Sequence, residues 1–472
     1  MSRSGFAAIC ATNIAKNRGK RITRLRRTQH GTCNGFAGSP AVYGLVCIGD
    51  APMPLTVFPL FFFSESTMDI LTQLQSHHCW MQFYLCKKDS GHLSKQDEKG
   101  LSAFIEQKAY LPVVHRIQNG DGFAPPKRAA ISKMSSRKKR IVYTYAPDEN
   151  WVLKHMTHLL IRKYDHLFTD NLYSFRSGRS VKDAIRDLRR VKNIDQMWSY
   201  KADISNYFNS IPVTQLLPVM DNALADEPVL LGFLTDLLTS PYVTDQGNMT
   251  EDHQKGIMAG TPFSTFLANL YLSDLDRHFE KENRIFARYS DDIILFSPSK
   301  DQLEQDIRHI HAYLQSKGLS MNPDKEAITA PGEMWTFLGF SFHQGIIDIA
   351  PASVQKLKGK MRRKMRALER WRDRGNHERT HAARAFIKTF NRKLLEGGGD
   401  HDLSWALWYF PTITTTESLQ TIDHYAQQCI RTLSTGKHTK GAFNFRYEDM
   451  KTLGYITLVN RYYCHKSTES KE

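Results

Sequence analysis

Arg288-Tyr289-Ser290-Asp291-Asp292-Ile293-Ile294-Leu295-Phe296 sets two adjacent acids at the tip of an otherwise apolar β-hairpin. Apolar residues on both sides imply that the strands are buried. Neighbouring carboxylates beside a buried strand repel one another and lose hydration, so ionising both is costly unless a cation neutralises them. Taken alone, the pair is also compatible with a solvated Asp-Asp turn.

Far upstream, Ala202-Asp203-Ile204-Ser205-Asn206-Tyr207-Phe208 closes a second apolar strand on an acid, with a helix beginning behind it. Two such strand ends side by side would make an oxygen-rich site for two Mg²⁺ ions, which take carboxylate, water and phosphate ligands. The chemistry suited to that site is in-line phosphoryl transfer. One ion lowers the pKa of a primer 3′-hydroxyl, and the other holds a triphosphate and stabilises the leaving pyrophosphate.

Working outward, the apolar pattern predicts strands at 141–145, 197–204, 285–297 and around 335–342, and helices over 149–164, 213–238, 262–281 and 300–317. Irregular alternation of strands and helices argues an α+β fold, and the glycine spacing of a dinucleotide-binding unit is missing. After Pro351 the chain turns basic and helical, with Lys356, Lys358, Lys360, Arg362, Arg363, Lys364 and Arg366, and reads as a separate helical unit turning internally at Gly397-Gly398-Gly399-Asp400. By itself such a cation run is more often a solvated helix face than a binding surface.

Several segments, in order over roughly residues 105 to 345, resemble the motifs of reverse transcriptases. Asn171-Leu-Tyr-Ser-Phe-Arg-Ser-Gly-Arg179-Ser resembles a fingers motif whose arginines meet template and incoming nucleotide. Asp203 to Phe208 resembles the first palm motif, in which the aromatic sixth residue lies under the sugar and excludes a 2′-hydroxyl. Gly256-Ile-Met-Ala-Gly260-Thr-Pro262-Phe-Ser264, followed by Ala268-Asn269-Leu-Tyr-Leu, resembles the glycine-containing motif at template and nucleotide. Tyr289 to Asp292 resembles the Tyr-x-Asp-Asp signature. Gly318-Leu-Ser-Met-Asn322-Pro-Asp-Lys325 resembles the motif whose lysine protonates pyrophosphate, and Phe337-Leu338-Gly339-Phe340 resembles the primer grip.

The resemblance implies a right-hand polymerase with fingers and N-terminal helices over 68–200, a palm with an antiparallel sheet over 201–350, and a basic helical thumb and C-terminal region over 351–472. It implies catalytic roles for Asp203, Asp291, Asp292 and Lys325, and two Mg²⁺ ions held by Asp203, Ile204, Asp291 and Asp292. Substrate contacts are implied for Arg140, Arg176, Arg179, Ile204, Phe208, Gly260, Pro262, Ser264, Tyr289 and Gly339. Physical chemistry agrees with these residue types. Arg140 and Lys325 suit phosphates, Phe208 is a flat apolar surface beside the acids, and glycines at 256 and 260 permit close approach of a nucleic acid strand. The implied partners are a noncoding RNA template, a DNA primer and product, and deoxynucleoside triphosphates.

The chain also departs from the family pattern. Ala259 stands where many relatives carry a glutamine near the nucleotide, and no ribonuclease H acids or metal-bound nuclease finger follow the palm. Phe410-Pro-Thr-Ile-Thr-Thr and Leu453-Gly-Tyr-Ile-Thr-Leu-Val-Asn-Arg-Tyr-Tyr463 resemble the tails of bacterial defence-associated reverse transcriptases, which suggests an antiphage enzyme copying a dedicated noncoding RNA. An untemplated or protein-primed synthesiser and an inactive RNA-binding scaffold are the rivals. RNA synthesis is disfavoured by the bulk of Phe208.

The whole composition fits a polyanionic partner: 64 Lys+Arg against 48 Asp+Glu give a formal charge of +16. Seven scattered cysteines lack the paired spacing of a zinc site and indicate a reduced, cytoplasmic setting; His77-His78-Cys79 has no second ligand pair. The apolar run from Leu55 to Phe63 is interrupted by Pro59 and too short to span a bilayer, so no membrane partner is expected. Residues 1–67 are basic and aperiodic and do not read as a domain. They are compatible with a transit peptide, with an RNA-binding arm, or with a translated leader ahead of a start at Met68, the reading preferred here. Oligomeric state is left open.

Overall fold

Period-two alternation along Asp292–Ser297 divides the structure into two layers of core. In the computed structural model, which describes residues 68–90, 93–132, 139–253, 255–396, 405–437 and 439–469, Ile293 and Leu295 point into one apolar cluster, and Ile294 and Phe296 into another. Both faces of the strand are covered, which is why its sequence is a nearly unbroken apolar run. Residues 1–67 and the Gly397–Asp400 turn lie outside the described residues.

The strand belongs to a four-stranded antiparallel sheet in the order Ile285–Tyr289, Asp292–Ser297, Trp198–Asp203, Ala327–Thr329. One face, with Tyr200 and Ala202, packs against helices Ser264–Tyr271, Ser273–Lys281 and Lys300–Ser316 through Phe266, Leu267, Phe279, Leu303 and Ile310. On the other face, Ala287, Ile294 and Phe296 are covered by helix Val181–Arg190 and by a three-stranded sheet of Trp335–Phe337, Phe340–His343 and Ile346–Ile349. Helices Pro351–Gly375, Arg379–Asn391 and Glu417–Thr435 complete that second core. The basic region after Pro351 therefore packs as part of the sheet's reverse layer instead of folding apart from it.

A second four-stranded sheet, ordered Lys139–Thr144, Lys127–Ser132, Tyr242–Asp245, Asn248–Glu251, carries Arg140. Helix Pro147–Lys163 follows it, with Pro147 in its first turn and Asp148 and Glu149 at its positive end. The expected α+β class is the one observed. Three expected elements are divided. The 213–238 stretch is two helices, Val213–Ala223 and Pro228–Thr239, and 262–281 is two helices parted at Leu272. The 335–342 segment is a hairpin because Leu338 and Gly339 both take positive φ, +48° and +89°. Among the described residues no helix is long and apolar enough to cross a membrane.

Inside the first layer lies a fully buried ion pair. Arg288, at 0% exposure, donates from Nε to Asp276 Oδ1 at 2.7 Å and from Nη2 to Asp276 Oδ2 at 2.5 Å. A guanidinium can sit there only because the carboxylate and two backbone carbonyls, Ser290 at 3.2 Å and Asn269 at 3.3 Å, replace its lost water. Arg288→Met leaves Asp276 buried and unpaired, and it is expected to cost about 3–5 kcal/mol in urea denaturation. The double variant Arg288→Met/Asp276→Leu recovers most of that loss. A single variant within about 1 kcal/mol of the parent contradicts the assignment.

Candidate active site

The three acids are gathered by strand register. Asp203 and Asp292 are directly opposed Cα partners on adjacent strands, and Ile204 N–H donates to the Asp291 carbonyl at 3.1 Å. Tyr289 pairs with Asp292, so Ser290 and Asp291 form a two-residue turn. Ser290 sits at φ +60°, a conformation that L-residues adopt at a cost, and a buried polar network holds it there. Its N–H donates to Ser174 Oγ at 2.8 Å, and its carbonyl accepts from Arg288 Nη1. Ser174 Oγ in turn donates to Asn269 Oδ1 at 3.1 Å, and Asn269 Nδ2 donates to the Ser174 carbonyl at 2.8 Å. Thus a fingers-motif serine, a helix asparagine and the buried ion pair together aim the turn. Ser174 and Asp276 were not singled out from sequence. The legible signal was Asn269, a polar residue within the apolar run of helix Ser264–Tyr271.

Burial sets the electrostatics. The Asp291 carboxyl is pushed upward first by burial and then by the charge of Asp203, against opposing pulls from Lys325 and Arg140. Burial, followed by the neighbouring Asp291 charge, pushes Asp292 up to about 6, partly countered by Lys201. Asp203, 8% exposed, pairs through Oδ1 with Lys325 Nζ at 2.6 Å. Among the described residues no group of three or more His, Cys, Asp or Glu side chains is drawn together closely enough to hold a metal ion as it stands. The acids share one end of the sheet with a lysine as counter-ion. A set made only of hard oxygen donors, unfavourable when all are charged, fits a divalent cation of the magnesium type.

Aromatic rings surround this edge. Phe208 is half-buried on the short helix Tyr207–Ser210, its ring 5.6 Å from Tyr207 and 6.5 Å from Phe175. Phe175 also lies 6.3 Å from the ring of Tyr289, itself half-buried. The 256–260 loop runs beside Phe208. Here the close approach expected of nucleic acid is made by the protein's own backbone. Gly256 has φ +52°, and a Cβ there would stand 2.5 Å from the Phe208 carbonyl oxygen. Gly260, at φ +103°, would meet the Tyr143 carbonyl at 3.1 Å. Ile257 N–H donates to the Phe208 carbonyl at 2.9 Å, and Tyr143 N–H donates to the Ala259 carbonyl at 2.8 Å. Asn209 bridges these segments: its Oδ1 accepts from Ala259 N–H at 3.1 Å, and its Nδ2 donates to the Ile141 carbonyl at 3.3 Å. The strand bearing exposed Arg140 is thereby tied to the acid-bearing segment.

Other expected contact residues are placed differently. Arg176, its side chain 6% exposed, is held by Asp165 at 2.8 Å and by the carbonyls of Thr169 and Leu172. Arg179 pairs with Asp170 and with Asp187 at 3.6 Å. Both arginines stitch the 165–187 segment together and are not drawn to the acids. Ser264 is buried, its hydroxyl donating to the Thr261 carbonyl at 2.7 Å, and Pro262 is half-buried just ahead of that helix. Gly339 accepts from Ala350 N–H at 2.9 Å, which docks its hairpin on the start of helix Pro351–Gly375.

Comparison with known proteins shows what the sequence resembles. Residues 131–342 match the protein family described as "Reverse transcriptase (RNA-dependent DNA polymerase)". An uncharacterized 91 kDa protein in the cob intron of Schizosaccharomyces pombe is 28% identical over 211 residues, 44% of this chain and 24% of its own length. The group II intron-encoded protein LtrA of Lactococcus lactis subsp. cremoris is 24% identical over 209 residues, covering 44% of this chain and 34% of LtrA. The chain thus spans about a quarter to a third of the length of these relatives. Among solved structures, apo telomerase from Candida tropicalis aligns at TM-score 0.43 and 12% identity over 75% of this chain and 64% of that one. Over residues 131–342 the chain is thus similar in sequence to reverse transcriptases, and 44% of it aligns with each of these intron-encoded proteins.

The raised Asp292 carboxyl has a stability consequence with a definite sign. An unfolded aspartate releases its proton near pH 4, whereas Asp292 in the folded protein keeps its proton until about 6. Between these values the native state binds more protons, so metal-free stability falls as pH rises from 4 to 6 and levels off above. Asp292→Asn removes this dependence. The stability difference between variant and parent in EDTA is expected to shift by roughly 2–3 kcal/mol between pH 4 and 7 in favour of the variant. A pH-independent difference contradicts the burial of this carboxylate.

Proposed function

We propose that this protein is an RNA-directed DNA polymerase. The carrying observation is the register that opposes Asp203 to Asp292 and sets Asp291 beside Ile204, inside a reverse transcriptase domain. Asp203, Asp291, Asp292 and the backbone carbonyl of Ile204 would hold two Mg²⁺ ions. When bound, these supply activation of the primer hydroxyl and stabilisation of the leaving pyrophosphate. Lys325, which pairs with Asp203 at 2.6 Å, would give a proton to pyrophosphate. Arg140 binds the triphosphate, and Phe208, with Phe175 and Tyr289 behind it, sorts sugars by bulk. Gly260 and Pro262 shape the template and nucleotide side of this pocket, and Gly339 turns the primer-side hairpin.

Residues 68–200 act as fingers, 201–350 as palm and 351–472 as thumb. The thumb helix Pro351–Gly375 exposes Lys356, Lys360, Arg362, Arg363, Lys364 and Arg366 to clamp an RNA–DNA duplex by its phosphates. The template is a dedicated noncoding RNA, and the setting is the cytoplasm of a bacterium under phage attack. The resemblance of the two tail segments supports this reading, and in the structure the two segments pack against each other. Tyr462 O–H donates to the Ile413 carbonyl at 3.1 Å, and the rings of Phe410 and Tyr462 lie 5.4 Å apart.

Primer extension on an RNA template with Mg²⁺ and deoxynucleotides tests the activity. Asp291→Ala/Asp292→Ala is expected to abolish extension while keeping RNA affinity within about threefold, since charge on the phosphates dominates docking. Undiminished extension refutes the roles given to these acids. For the thumb, Lys356→Gln/Lys360→Gln/Arg363→Gln is expected to flatten the slope of log K against log salt by about 2–3. An unchanged slope removes the helix from the duplex path.

A further inference from the structure

We propose that Trp371 and His377 form a stacking platform for an unpaired nucleobase of the RNA, a site that rests on the polymerase reading but lies outside its chemistry. Helix Pro351–Gly375 buries Val354, Leu357, Met361 and Leu368 along one seam. Trp371, the next position on that seam, is 41% exposed. Its indole lies against the His377 imidazole, ring centres 4.0 Å apart and planes 19° from parallel. One turn before and one turn after Trp371, at i−4 and i+4, stand Ala367 and Gly375, both exposed and small.

The turn is shaped to make this stack. Asn376 adopts φ +47°, and His377 N–H donates back to the Arg372 carbonyl at 3.0 Å, which folds the chain over the helix end. A Cβ on residue 375 would overlap the His377 ring, so glycine there is what lets the imidazole lie flat. The charge around the pair suits a polyanion. Arg370 and Arg374 are exposed next to Trp371 along the helix, Asp373 pairs with Arg372 at 2.7 Å, and Glu378 accepts from the Thr380 hydroxyl at 3.2 Å. Arg379, which opens helix Arg379–Asn391 just past this turn, donates to the Thr435 carbonyl and ties the turn to helix Glu417–Thr435. An aromatic face among arginines, on a rigid mount, fits a base that is free to unstack. Bases within a duplex offer no such face.

Fluorescence anisotropy on the full chain tests this with two RNAs of equal length, one with an unpaired loop and one a blunt duplex. Gly375→Ala keeps both rings and improves helix propensity, yet displaces His377. It and Trp371→Ala are expected to weaken the looped RNA about 5- to 150-fold and the duplex less than about twofold, with Trp371→Phe largely restoring affinity. Equal losses on both RNAs overturn the platform. So does unchanged affinity with a lowered melting temperature, which would leave the rings as a cover for the hairpin tip. A parent protein that binds neither RNA overturns the polymerase reading and this site together. A parent that extends primers alongside variants that bind as it does overturns the platform alone.

Discussion

Carboxylates at the ends of buried strands repel one another more strongly than they would in water, because little solvent stands between them. The fold imposes that arrangement on Asp203, Asp291 and Asp292 and relieves it with Lys325 on one side and Lys201 on the other. Stability is given up at this edge, and the two apolar layers that cover the sheet supply it.

Holding the edge in place requires rigidity beneath it. The strained Ser290 would relax if its N–H and carbonyl had water to turn to; Ser174 and Arg288 meet both groups in the interior. Because Arg288 is itself fixed by Asp276, the direction of the acid-bearing turn is coupled to helix Ser273–Lys281. A parallel coupling runs through Asn209, which ties the Phe208 segment and the 256–260 loop to the strand of Arg140. Groups that would act on one nucleotide therefore belong to segments joined to one another by hydrogen bonds.

Much of this was legible in the sequence, and the remainder was hidden for physical reasons. The apolar flanks around Asp291 and Asp292 identified a buried hairpin, and Asp203 stood out as an acid closing an apolar run. Register between strands so distant in sequence is set by tertiary pairing, so the opposition of Asp203 and Asp292 could be expected only through resemblance. The glycines at 256 and 260 were read as room for a nucleic acid strand, whereas what approaches them in the structure is protein backbone. Contacts of Arg176 and Arg179 with template and nucleotide were expected through resemblance alone, and their internal partners, Asp165 and Asp170, could not be read before the loop folds. Arg288, a cation in a strand, gave no sign that it would be wholly buried, since its partner is a carboxylate on a separate helix. The cation run after Pro351 marked a helix correctly, but nothing in it disclosed that the opposite face completes the core behind the sheet.

The most direct test is a crystal structure of the full chain with an RNA template, a DNA primer and a nonhydrolysable deoxynucleotide, with Mn²⁺ located by anomalous scattering. Two ions are expected between the triphosphate and the carboxylates of Asp203, Asp291 and Asp292, with Asp203 released from Lys325. Ions bound elsewhere, or a nucleotide seated away from these three residues, would contradict the claim that this sheet edge is a polymerase centre.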